Sequence, residues 1–202
     1  MNNMNDKLES FLVSKENILL ETCRKSPFLI SESDVGAKHY ALIDSEIDKF
    51  SEYIVSSEWR VYTPQKYQTI LKNKNNKEEK SHQMDLAVVK KWQATYPHTK
   101  DCFLKNKPCY AVEYKIDDEP TYGRGHQIQD FINDVRRLSY YCEYLQRAFA
   151  LYYYRGKSSF QGNVFDKSSE KYLFRKENKF ENADKLNVYF VDRMGIHKLD
   201  LP

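Results

Sequence analysis

Two short apolar segments near the middle of the chain each carry charge: Met84-Asp85-Leu86-Ala87-Val88-Val89, then Cys109-Tyr110-Ala111-Val112-Glu113-Tyr114-Lys115-Ile116. Their length and their β-branched and aromatic content predict strands. A charge on a strand that must bury its faces is costly unless it is paired. Side chains alternate across a strand, so Glu113 and Lys115 share one face with Ala111, while Val112, Tyr114 and Ile116 point the other way. One face is therefore apolar, and the other sets a carboxylate beside an ammonium. The same pair also fits the wet face of an antiparallel sheet, where it would serve only solubility.

The chain holds three Glu-x-Lys triplets: Glu78-Glu79-Lys80, Glu113-Tyr114-Lys115 and Glu177-Asn178-Lys179. Only the middle one lies in a strand-like run, and the other two read as solvated polar stretches. Preceded by Asp85 on a neighbouring apolar strand, the middle triplet resembles the PD-(D/E)XK nuclease superfamily, with Met84 standing where the motif has its proline. The resemblance spans about Asp34 to Asp192 as an order of elements. It implies Asp85 as a metal-binding acid, Glu113 as the second acidic ligand, Lys115 as the catalytic lysine, and Mg²⁺ or Mn²⁺ as the cofactor. Such a cation takes hard oxygen ligands and keeps several waters, so two carboxylates, a backbone carbonyl at Tyr114 and a substrate phosphate suffice. Lys115 would position the attacking water and offset charge developing on the phosphate oxygens.

The flanking segments extend the pattern. Asp34 to Ile54 predicts an amphipathic helix, with Ile43, Ile47, Phe50 and Ile54 on one stripe. Glu46 falls on that side, and the resemblance implies a first-helix Glu that completes the metal site; an acid that borders the stripe and reaches water accounts for it as well. A break at Asp117-Asp118-Glu119-Pro120 and Gly123-Arg124-Gly125 leads into a helix with Ile128, Ile132, Val135, Leu138 and Cys142 on one stripe. Gln127, in its first turn, matches a polar residue that the family places there for water or phosphate. Arg124, between two glycines, is placed to approach a backbone phosphate. Trp59 to Thr63, Phe149 to Tyr154 and Asn187 to Asp192 read as further strands, the last as the final one. The Asn- and Lys-rich stretch Lys72 to Ser81 reads as a hairpin-tip loop, and Arg155 to Asp184 as a polar tract with a short helix near Ser169 to Lys176.

At 202 residues with 41% hydrophobic content, the chain has enough material for one sizeable core. The expected fold is α/β: a restriction-endonuclease-like mixed central sheet flanked by helices over residues 31–202, with a helical N-terminal extension over 1–30. Asp6 to Cys23 forms that extension, with Leu8, Phe11, Leu12, Leu19 and Thr22 roughly on one face, to pack on the core or to serve a partner chain. Acidic and basic residues at Asp6, Lys7 and Glu9 speak against a secretory signal, and no run approaches a membrane span, so a cytoplasmic protein without a membrane partner is expected. Four cysteines, Cys23, Cys102, Cys109 and Cys142, lack Cys-x-x-Cys pairing and read as reduced structural thiols. His98, Cys102 and Cys109 lack the paired spacing of a zinc site. The net charge of +3 does not mark a strong nucleic-acid binder by itself. The absence of a GxxxxGK loop and of a Gly-x-Ser-x-Gly turn removes the common nucleotide-hydrolase and esterase readings. The expected substrate is DNA, with RNA or a non-catalytic binding or scaffold role as alternatives, and one site per chain favours a homodimer or a partner subunit.

Overall fold

The computed structural model describes residues 2–26, 29, 31–63, 65–71, 81–91, 108–117, 125–155 and 180–202. Its elements run α1 (Asn2–Lys25), α2 (Glu32–Ile47), β1 (Tyr53–Tyr62), β2 (Ser81–Lys90), β3 (Tyr110–Asp117), α3 (Gly125–Tyr141), β4 (Arg147–Tyr154), β5 (Leu186–Val191) and β6 (Ile196–Leu199). The six strands form one mixed sheet in sequence order. β1, β2 and β3 make an antiparallel meander; β4 then lies parallel to β3 and β5 parallel to β4, while β6 turns back antiparallel to β5. The parallel β3–β4 pair is the arrangement that a helical crossover through α3 allows. The α/β architecture with a mixed sheet and flanking helices thus stands as expected.

Each sheet face buries its own apolar layer. α3 sends Phe131, Val135 and Leu138 onto one face, against Ala111, Ala148 and Ala150. Those small side chains on β3 and β4 let the helix sit close to the sheet. The other face carries Tyr110, Val112, Tyr114, Phe149 and Leu151, covered by α1 and α2 together. Leu8, Leu12, Leu19 and Cys23 place α1 in that layer, so the N-terminal helix packs on the sheet. Its stripe is interrupted by two buried charges, and each has a partner: Lys15 pairs with Glu46 of α2, and Glu16 accepts from Arg147 of β4 at 2.9 and 3.1 Å.

Several boundaries differ from the sequence reading. α2 starts at Glu32, because Ser31 caps it: its hydroxyl accepts from the Asp34 N–H at 3.1 Å while Asp34 accepts from the Ser31 N–H at 2.9 Å. The same helix stops at Ile47, not Ile54. Asp48 caps its end, and Ile54 belongs to a ten-residue β1 that starts well before Trp59. Asn187 to Asp192 is not the last strand, since β6 follows it. Residues 72–80, Arg124 and the expected Ser169–Lys176 helix lie outside the described residues.

Candidate active site

The meander is irregular at one rung. β1 and β2 pair in a single register from Tyr53↔Lys90 to Tyr62↔Ser81, yet Glu58 and Asp85, which that register sets opposite each other, are not among the paired positions. Residues two apart on a regular strand share a face. Here Met84 and Trp59 pack in the α3 layer, whereas Leu86, Val55 and Tyr53 pack in the α1–α2 layer. Both strands therefore turn over at the Glu58–Asp85 rung. Glu58 has φ 55°, left-handed backbone that a non-glycine residue adopts only where the surroundings enforce it.

The β2–β3 ladder ends at the same point. Its last pair is Leu86↔Val112, so Asp85 arrives opposite Glu113 just where the two strands part. Asp85 Oδ2 accepts from the Tyr114 backbone N–H at 2.7 Å, taking a donor that a continued ladder would have used. The parting strands open a cavity of about 580 Å³, lined by Asp85, Tyr114 and Glu58 from the sheet and by Glu32, Gly36 and Tyr40 from α2.

Asp85 lines this opening, and the Glu113 carboxyl adjoins it closely enough that each shifts the other's proton affinity. Burial pushes the Asp85 carboxyl above its ordinary range, with the Tyr114 N–H and Glu113 acting against that shift. Burial also pushes Glu113 well up, and the adjoining Asp85 and Asp134 carboxylates push it further. Two contacting carboxylates can both ionise only if something positive stands with them. Glu113 is only 5% exposed. His82 Nε2 and Glu113 Oε1 are hydrogen-bonded at 2.7 Å, and burial lowers His82 to about 3, so its ring is neutral at ordinary pH. Arg137 of α3 donates to Asp134 Oδ1 at 2.6 Å, and Asp134 is pushed up to about 6 by burial despite that partner.

Lys115 leaves the sheet on the same face as Glu113, and its Nζ stands 3.2 Å from Glu32 Oε1. Burial opposes its charge, but Glu32, Asp134 and Asp85 outweigh burial and raise it, so Lys115 stays an ammonium at neutral pH. Tyr114 points to the opposite face, where its hydroxyl and His39 Nδ1 are hydrogen-bonded at 2.7 Å. That contact ties β3 to α2 beneath the site.

The structure thus brings together Asp85, Glu113, Lys115 and the Tyr114 backbone. Glu46 is not with them. It lies fourteen residues beyond Glu32 along α2, about 21 Å at 1.5 Å per residue. Glu46 instead pairs with Lys15 and Lys49, which hold its carboxyl down at about 2. The α2 acid at the site is Glu32, and the Ser31-x-x-Asp34 capping pattern is the sequence signal that would have started the helix early enough to include it. Only the backbone of Gln127 is described, in the first turn of α3, and Arg124 lies outside the described residues.

No family model, curated protein or solved structure matches the chain. Among the described residues, no three His, Cys, Asp or Glu side chains converge as a ready-made metal centre. The donor set that is present, two adjoining carboxylates beside the backbone of β3, suits a small hard cation that retains water ligands better than it suits zinc. Of the zinc candidates, His98 and Cys102 lie outside the described residues. Cys109 is no thiolate: its Sγ donates to the Val88 carbonyl at 3.1 Å, and burial pushes it up to about 12. Cys23 and Cys142 are likewise pushed up to about 12 by burial, as reduced structural thiols would be. Among the described residues no helix is long and apolar enough to cross a membrane.

Proposed function

We propose that the protein is a divalent-cation-dependent nuclease of the PD-(D/E)XK type, with DNA as its substrate. The observation that carries this reading is the Asp85–Glu113 contact, made where β2 parts from β3, with the Lys115 ammonium on the same face. The helix–three strands–helix–strand order around it, with β3 parallel to β4, accommodates this reading.

Hydrolysis joins a water oxygen to phosphorus as the bond from phosphorus to the departing sugar oxygen breaks, and negative charge builds on the phosphate oxygens. Asp85, Glu113 and the Tyr114 carbonyl would hold Mg²⁺ or Mn²⁺, which when bound supplies charge neutralisation and an acidified water. Lys115 is charged at neutral pH, so it serves as a cation and hydrogen-bond donor to the phosphate or the water, not as a base. Glu32 holds the lysine at the mouth of the opening until a phosphate competes for it. His82 orients Glu113 from behind, while Asp134 and Arg137 act on it through their charges.

A second reading, a non-catalytic nucleic-acid-binding or scaffold module of the same architecture, is favoured by Met84 in place of the motif's proline and by the lack of a third converging ligand among the described residues. Incubating supercoiled plasmid, single-stranded DNA and RNA with Mg²⁺ or Mn²⁺ separates the two. The nuclease reading expects cleavage of DNA by the wild type and loss of several orders of magnitude in Lys115→Ala. Equal cleavage by both proteins, or cleavage by neither, removes it, and cleavage of RNA alone reassigns the substrate.

A further inference from the structure

The cavity beside Asp85 is larger than phosphodiester chemistry alone requires. Its volume of about 580 Å³ falls within the roughly 300–1,000 Å³ of sites that engulf a small molecule. At about 30 Å³ per water, a cation with its waters and one phosphate group fill only part of it. Glu32, Gly36 and Tyr40 follow one another at four-residue spacing, so they stand on one face of α2 as a wall. Tyr114 of β3 lines the cavity as well. Glycine is unfavourable inside a helix, and packing does not call for it here: a Cβ on Gly36 would meet the Tyr114 ring at 3.5 Å, an ordinary contact. What Gly36 does is leave space beside an aromatic surface.

The polar groups of the cavity are selective. Its charged lining residues among those described are Glu32, Glu58 and Asp85, all acids. Glu32 is engaged by Lys115 at 3.2 Å, and Asp85 Oδ2 by the Tyr114 N–H at 2.7 Å. Glu58 stands opposite Asp85 where the strands turn over, exposed and without an ion-pair partner among the described residues. A carboxylate accepts hydrogen bonds and donates none, so this interior repels a phosphate and favours a neutral group that donates. A nucleobase with an exocyclic amino group fits both features, since its ring stacks on aromatic side chains and its amino group donates to a carboxylate. Thymine presents a carbonyl oxygen at that position, which a carboxylate repels.

We propose that this cavity receives one unpaired base, of the kind that carries an exocyclic amino group, from the nucleotide beside the scissile phosphate, with Glu58 accepting from the amino group. The inference rests on the nuclease reading for its ligand. Lys115, at the Glu32 wall, puts the phosphate next to the cavity. A base held in a duplex is stacked and paired, so it reaches such a cavity only from a single strand, a bulge or an extruded position. The substrate is therefore DNA with an unpaired nucleotide at the cut, and Glu58 discriminates among bases.

The test is binding in EDTA, where nothing is cut. The Kd of fluorescent duplexes that are fully paired, or carry one bulged dC or one bulged dT, is measured for wild type, Gly36→Leu and Glu58→Gln. A hydrogen bond to a charged group is worth about tenfold in affinity, so wild type should bind the dC bulge about tenfold tighter than the dT bulge or the paired duplex. Gly36→Leu fills the space and should remove that preference. Glu58→Gln supplies a donor for the thymine carbonyl and should bring the dC-to-dT ratio close to one. If Gly36→Leu melts at a lower temperature than wild type, the ratio in Glu58→Gln carries the test. Equal affinities of the wild type for the three probes overturn the proposal, as does a dC preference that survives Glu58→Gln. Loss of a bound Mn²⁺ in Glu58→Gln with an unchanged dC-to-dT ratio also overturns it, assigning the cavity to a cation. A dC preference in a protein that cuts nothing keeps the pocket and discards the nuclease, whereas DNA cleavage without the preference does the reverse.

Discussion

Asp134 offers the sharpest energetic consequence of the acidic opening. Its carboxyl is pushed up to about 6 from an ordinary 3.8, mainly by burial, with Arg137 and Lys115 only partly offsetting that cost. The folded state binds this proton more tightly than the unfolded chain does. Between pH 3.8 and about 6 it therefore holds more protons, stability falls as pH rises through that window, and above about 6 the full penalty applies. The gap corresponds to about 3 kcal/mol. Asn approximates the protonated acid and keeps the oxygen that accepts from Arg137. Asp134→Asn should therefore be more stable than wild type at pH 7.5, by up to about 3 kcal/mol, or about 6–12 °C in melting temperature for a chain of this size. The gap should nearly close by pH 4 and should shrink at pH 7.5 when Mg²⁺ or Mn²⁺ is added, because a cation between Asp85 and Glu113 offsets the same charge. Scanning fluorimetry in EDTA across pH 4–8 reads all three effects. A variant no more stable than wild type at pH 7.5, or a gap of equal size at pH 4, would refute the reasoning.

Further substitutions separate structural from functional acids. Glu46→Ala should leave DNA cleavage unchanged and affect stability only through its pairs with Lys15 and Lys49, whereas Glu32→Gln should alter cleavage by releasing Lys115; nicking assays on both variants distinguish the two acids. Arg147→Ala should cost about 3–5 kcal/mol in urea unfolding because it strands the buried Glu16, while Arg147→Met with Glu16→Leu should recover most of that loss. Tyr114→Phe should cost about 1–3 kcal/mol in the same assay, since it leaves the buried His39 Nδ1 without its partner.

Much of the fold was legible because β2, β3 and β4 are strongly apolar and α3 keeps its stripe at helical spacing. The end of α2 was not, because Ile54 continues the spacing of Ile43 and Ile47 although the backbone has already entered β1. β6 escaped notice because His197 and Lys198 sit between its only two apolar residues. Within the site, Asp85, Glu113 and Lys115 announced themselves as charges on apolar strands. Asp134 and Arg137 carried a comparable signal, charges set within the turn that packs Phe131, Val135 and Leu138 on the sheet, but a helix surrounds its stripe with polar positions and the anomaly is weaker. His82 could not be read, since its place beside Glu113 depends on both strands turning over at the Glu58–Asp85 rung, a distortion that no single strand encodes.

Asp85 and Glu113 together are proposed to bind a hard divalent cation. Calorimetric titration of the protein with Mn²⁺ at pH 7.5 tests it without any appeal to activity. One saturable site is expected in the wild type and in Glu46→Gln, weakened at least tenfold in both Asp85→Asn and Glu113→Gln. Wild-type affinity in either of the last two variants would contradict it.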